Sequence, residues 1–313
     1  MGSRYSVIFL LAIFLSGCRP ATAPVTPLDQ TQGAPAHVNG TSQTPQTPTP
    51  APDYVAQIRN AQYQLGTPDS LQVVQLVDGQ FEQGTPGGAD FISVRVTDFV
   101  ISGDLKADGV NEIVALISEN YGGTGVFVFV VVFVNVNGVL TFQTSSIVDD
   151  RPQLNALAIE NNEILLDTTI HGFEDPGCCP ALRTTRHYRL AEGGQLDMTD
   201  YTTFTADSKP RTIAIESPIN GSEVFSSVPI KGSVAIAPFE NNLAYRIYDV
   251  SGIELSAGPI SVTAPDLGAP GTFDALIPLG KVLSGAVIRI EVQDINGQDG
   301  SLLAMDSVEL VVK

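Results

Sequence analysis

The chain has no tryptophan, three cysteines, three histidines and only 16 lysines and arginines in 313 residues. Each shortage narrows what it can do. Against those cations stand 34 aspartates and glutamates, for a formal net charge of −18. Such a surface repels phosphate backbones, which argues against nucleic acid and against electrostatic docking on anionic lipid. Within the sequence expected to fold, only His171 and His187 could serve as imidazole bases. There is no Gly-x-Ser-x-Gly elbow and no His-Glu-x-x-His pair, and Gly122-Gly-Thr-Gly125 lacks the Gly-Lys-Ser/Thr of a phosphate loop. Long apolar runs are also scarce. The most apolar internal stretch, residues 126–134, would rise only about 14 Å as a helix, and its valines and phenylalanines favour a strand.

What is present starts at the N-terminus. A polar segment carrying Arg4 precedes an apolar run over residues 7–15, which closes in Leu15-Ser16-Gly17-Cys18. The run is too short to cross a bilayer as a helix but suits the apolar region of a signal peptide. The segment resembles the bacterial lipoprotein signal, in which small residues before a cysteine permit cleavage once the thiol carries diacylglycerol. The resemblance implies that residues 1–17 are removed and that Cys18 is lipidated. The protein would then be exported to the bacterial cell envelope and held on its membrane by acyl chains. More than one chain on a single cysteine anchors stably, where one alone is marginal. The competing reading is an ordinary secretory signal with an incidental Cys18. Residues 19–52 alternate proline with threonine, glutamine and alanine. They lack the apolar mass to offset ordering entropy and read as a stiff tether whose extended reach approaches roughly 100 Å.

A first folded domain is expected over residues 53–205. The spacing of Val55, Ile58, Ala61 and Leu65 predicts one helix over residues 53–65. The remainder reads as strands. Ile92, Val94 and Val96 alternate with polar residues, as in a half-buried strand. Residues 112–118 and 126–135 flank the glycine-rich turn as a hairpin, and the second of them is apolar on both faces, as a doubly covered central strand requires. Asn137-Gly138 turns the chain into residues 139–147, and Asn161-Asn162 joins 154–159 to 164–169. After a polar hinge at 206–210, residues 211–313 carry short strands at steady spacing between Gly, Pro and Asn, the pattern of an all-β sandwich.

That second domain also carries a resemblance. Ile213-Ala-Ile215-Glu-Ser-Pro218-Ile-Asn220-Gly221, Ile230-Lys-Gly232-Ser-Val234, Tyr248-Asp249, Gly271-Thr-Phe273 and Ile288-Arg-Ile-Glu-Val292 follow one another in order. Together they resemble the immunoglobulin-like domain found with bacterial spore-germination proteins. The resemblance implies an immunoglobulin-like sandwich that mediates envelope or protein contacts. The first domain is similar to uncharacterised bacterial lipoproteins that pair a Gly-Asp-Leu-x-x-Asp-Gly loop with an Asp-Pro-x-Cys-Cys-Pro segment. Here these are Gly103-Asp-Leu-Lys-Ala-Asp-Gly109 and Asp175-Pro-Gly-Cys-Cys-Pro180. The expected fold class is therefore mainly β: a β-rich N-terminal domain with one helix, then an immunoglobulin-like β-sandwich.

Three sets of residues could carry chemistry. Asp104, Asp108 and Glu112 place oxygens at calcium-loop spacing around Gly109, with Asp98 or Asp149 as outside contributors. Lys106 occupies a ligand position, and Ala115 stands where a closing glutamate belongs. The same carboxylates equally serve a structural turn by capping backbone amides. Asp294, Asn296 and Asp299 repeat the pattern out of ligand register, as ordinary turns do. Cys178 and Cys179 are adjacent in a compartment that oxidises thiols, and with Cys18 lipidated they have only each other within a monomer. A vicinal disulfide, free thiols and an intermolecular bridge are the alternatives. The remaining one is a zinc or copper site completed by His171, His187 and Asp175, although adjacent cysteines lack the Cys-x-x-Cys loop that lets both sulfurs converge.

These features point to a lipid-anchored envelope protein with a non-catalytic binding or structural role and no cofactor. Its partners would be the membrane, through the anchor, and an envelope protein or polysaccharide. The alternatives are a metal- or redox-handling lipoprotein using Cys178 and Cys179, and a carboxylate-based hydrolase, for which no pair of acids is singled out by spacing.

Overall fold

β-Branched and aromatic residues alternating with polar ones fold this chain into antiparallel sheets almost throughout, in a computed structural model that describes residues 53–66, 72–280 and 282–313. The expected signal segment, Cys18 and the expected tether lie outside the described residues. Residues 51–313 form a single compact unit.

The expected helix over 53–65 is one turn, α1 (Tyr54–Ile58), capped by Asp53, whose carboxylate accepts from the Ala56 amide at 3.0 Å. The helix is present but stops at Ile58, because burial beyond it follows a period of two. Ala61, Tyr63 and Leu65 are buried while Gln62 and Gln64 are more exposed, so the chain extends into β1 (Gln62–Gln64) and pairs with β2 (Val73–Gln75). The Asn60 side-chain amide donates back to the Ala56 carbonyl at 3.0 Å and closes the helical turn.

A five-stranded meander follows: β3 (Gln80–Gln83), β4 (Ile92–Gly103), β5 (Glu112–Asn120), β6 (Phe127–Val136) and β7 (Val139–Asp150), in that order across the sheet. β5 and β6 are both apolar on both faces, as expected from the sequence for β6 alone, because both faces are covered. Ile113, Ile117, Phe129 and Phe133 pack with Ile58, Tyr63 and Leu76 on one side. Val114, Leu116, Val130 and Val132 pack with Ile164, Leu166 and Tyr188 on the other. The latter residues come from a second meander, β8 (Gln153–Glu160), β9 (Glu163–Ile170), β10 (Leu182–Leu190) and β11 (Leu196–Phe204). Both expected two-residue turns have left-handed central residues, with φ of 53° and 86° at Asn137 and Gly138 and of 51° and 66° at Asn161 and Asn162. That is the twist that a tight hairpin needs.

A tight turn through residues 205–209, closed by the Thr205 amide on the Lys209 carbonyl at 2.9 Å, leads to β12 (Pro210–Arg211), which pairs with β11. The sandwich is built from β13 (Ile213–Ser217), β14 (Ser222–Val224), β15 (Ser227–Val234), β16 (Asn242–Asp249), β17 (Glu254–Thr263), β18 (Gly271–Pro278), β19 (Val287–Ile295) and β20 (Leu302–Val312). One layer runs β13-β15-β18, and the other runs β16-β19-β20 with β14 parallel to β20. β17 pairs with β16 along most of its length and with β18 at its end. Two antiparallel layers packed in this way form a β-sandwich. Val228, Ile230, Ile247, Ile290 and Leu310, each fully buried or nearly so, fill the core between the layers.

The two halves share a sheet. β20 pairs with β19 along one edge and divides the other, giving residues 310–312 to β14 and residues 304–306 to β11. A part-buried ion pair, Arg211 with buried Asp294 at 2.7 Å, lies at the same junction. Among the described residues no helix is long and apolar enough to cross a membrane.

Candidate functional site

The loop over residues 104–112 is held by its own carboxylates. Asp104 accepts from the amides of Lys106 and Asp108, both at 3.2 Å, and of Gly109 at 2.8 Å. The Gly109 amide is the main cause holding Asp104 below the usual carboxylate range. Glu112 is buried, accepts from the Leu105 amide at 2.9 Å and pairs with Lys106 at 3.3 Å. Asp108 accepts from the Val110 amide at 2.8 Å. The structure thus brings Asp104 and Glu112 to the two ends of one loop and gives their oxygens to amides and an ammonium group. Asp98 is exposed on β4, and Asp149 lies elsewhere, accepting from the His171 amide at 3.0 Å.

Cys178 and Cys179 form a vicinal disulfide with Cα atoms 3.8 Å apart, exposed on the loop from β9 to β10. The base of that loop is fixed independently. Asp175 accepts from the Gly172 and Ala181 amides, each at 2.7 Å, which lowers its pKa, the Gly172 bond foremost. The two histidines proposed beside the cysteines go to different carboxylates. His171 lies 3.7 Å from Asp149, and its Nε2 is buried without a hydrogen-bond partner. His187 lies 3.4 Å from Glu163, a contact that raises the imidazole pKa and lowers that of the carboxyl. Among the described residues no three His, Cys, Asp or Glu side chains are grouped to hold a metal ion.

Two concave sites were not evident from the sequence. A cleft of about 620 Å³ lies where β9, β10 and β11 meet β20, lined by Glu163, His187, Asp200 and Asp306 among others. Burial raises the Asp200 carboxyl to about 6, with Asp306 adding to the effect, and raises Asp306 as well. The Thr199 hydroxyl donates to Glu163 at 3.0 Å, the Ile215 amide donates to Asp306 at 2.6 Å, and Arg189 pairs with Glu309, so charged groups around the cleft are tied to partners within the protein. The only advance signal was charge inside strands that otherwise alternate.

The larger site is a groove of about 970 Å³ between α1, the β1–β2 hairpin and the start of β7. Its walls carry the amides of Gln57, Asn60, Gln62, Gln64 and Gln75, and Asp53 is the one titratable group among the described residues that line it. Asn60 and Gln75 bond within the protein, to the Ala56 carbonyl at 3.0 Å and the Asn60 carbonyl at 2.7 Å. Alternation along β1 and β2 turns Gln62, Gln64 and Gln75 away from buried Tyr63 and Val74. The groove can make many neutral hydrogen bonds. No protein-family model matches the chain, and none of the curated proteins does.

Proposed function

We propose that this chain is a lipid-anchored bacterial envelope protein with a non-catalytic binding or structural role, held through Cys18 and reaching its partner on the tether of residues 19–52. The observation that carries the reading is the amide-walled groove, which is equipped for hydrogen bonding and almost free of charge. It is further supported by the use made of the reactive side chains elsewhere. Asp104, Glu112 and Asp175 serve backbone amides, and His187 serves Glu163. The immunoglobulin-like half, resembling that of spore-germination proteins, would present the groove-bearing half to an envelope protein or polysaccharide. The test is detergent partitioning combined with crosslinking on intact cells. Wild type should enter the detergent phase and crosslink to an envelope component, and Cys18→Ala should lose both. A wild-type N-terminus other than lipid-modified Cys18 would remove the anchor.

A second reading, redox handling, is favoured by one observation, the exposed disulfide of Cys178 and Cys179. Exposure leaves it open to attack by a thiolate. Reversible reduction by a dithiol in the envelope, coupled to a change in partner binding, would support this reading.

A further inference from the structure

The groove is defined by a strand edge. β7 is the last strand of its sheet, and five consecutive residues, 138–142, line the groove. Successive side chains of a strand point to opposite faces, so a cleft lined by consecutive residues runs along the strand's edge. The turn fixes which backbone groups lie there. Val136 and Val139 flank the two-residue turn as partners and form a hydrogen-bonded pair, so Thr141 with Val134 forms the next. Leu140 and Phe142 therefore direct their N–H and C=O groups away from β6, into the groove. Beyond them the edge is interrupted. Gln143 is an extra residue in the β6–β7 ladder, its side chain bonded to the Gly194 carbonyl at 3.3 Å, and the Val148 carbonyl accepts from Arg186 at 2.9 Å. The open stretch carries no charge and no proline, the devices that keep a free edge from pairing.

We propose that this edge binds an extended, uncharged or basic peptide segment of another envelope protein, which adds as a strand antiparallel or parallel to residues 139–142. The proposal rests on the binding reading above and names its site and ligand class. Charge selects the occupant. A chain of net charge −18 repels acidic segments, and Asp53 at the groove would receive a lysine or arginine of the guest. Main-chain bonds to Leu140 and Phe142 would supply affinity, and the Gln57, Gln62 and Gln64 amides would meet its other polar groups. A glycan fits less well, because Phe142, the aromatic residue of the groove, is packed edge-on between Tyr63 and Phe133 and offers no free face.

The test uses the full lipidated chain in detergent, with hydrogen exchange as the readout. The probe is a degenerate pool of blocked heptapeptides built from Thr, Val and Ile between terminal lysines. A second pool is N-methylated at alternate residues, and a third probe is a set of neutral oligosaccharides. The expected result is slowed exchange at the Leu140 and Phe142 amides with the first pool and loss of that protection with the N-methylated pool. Equal protection by both pools would overturn strand addition. Protection by oligosaccharides alone would overturn the peptide while leaving the binding reading intact. No protection by any probe would overturn the groove as a binding site.

Discussion

Asp200 and Asp306 stand directly opposite one another where β11 meets β20, so two partly buried carboxyls face each other across the ladder that joins the halves of the molecule. Burial favours the neutral form of both, with Asp306 adding to the effect at Asp200 and Glu163 at Asp306.

The pH dependence follows in sign. Asp200 titrates near 6 in the folded chain against 3.8 unfolded, so the folded state binds the proton more tightly. Stability from this group is complete below about pH 4 and is lost as pH rises through about 6. Asp200→Asn should therefore stabilise the protein at pH 7.5 by about 1–2 kcal/mol, allowing for solvent reaching the group, and do little at pH 4. Chemical denaturation at both pH values measures it.

Gly232 tests the sandwich core. It pairs with Phe273 across β15 and β18, and a Cβ placed there would overlap the Phe273 ring and the Ala214 carbonyl. Gly232→Ala should cost about 3 kcal/mol, read as a lowered melting temperature.

Glu112 tests the acidic loop. Glu112→Ala leaves the Leu105 amide and the Lys106 ammonium group without their carboxylate, and should cost about 2 kcal/mol. Because the loop is already held by those bonds, melting curves with calcium and with a chelator should coincide. A large calcium-dependent rise would reassign Asp104, Asp108 and Glu112 as ligands.

The vicinal disulfide closes a loop with no residues inside it, so it restrains the unfolded chain very little. Asp175 holds the surrounding loop without it. Replacing both cysteines by serine should leave the melting temperature nearly unchanged. Intact mass should show two thiols at Cys178 and Cys179 after reduction and none before. Two thiols alkylated without reduction, with stoichiometric zinc or copper, would favour the metal reading.

Much of the fold was legible because its signals are local. Asn137-Gly138 and Asn161-Asn162 dictate their hairpins, and the apolar run on β6 announces a strand covered on both sides. The segment at 53–65 misled because Val55, Ile58, Ala61 and Leu65 fit a helix while Ala61, Tyr63 and Leu65 fit a strand. Tertiary burial of Tyr63, whose hydroxyl donates to buried Glu119, decides for the strand. The shared sheet could not be read, since it depends on Tyr201 meeting Met305 across a long separation. The groove was equally hidden. Glutamines near the N-terminal end of the fold signal no chemistry, and only the meander brings them to the edge of β7.

On the proposed reading, the groove is where an anchored protein meets its partner. Site-specific photo-crosslinking in cells of the native host tests it most directly, with the crosslinker placed at Gln64 in the groove or at exposed Leu267 in the sandwich. A discrete adduct is expected from Gln64, none from Leu267, and loss of the adduct in Cys18→Ala. Equal labelling from both positions, or no adduct from Gln64 in cells where the protein is anchored, would contradict it.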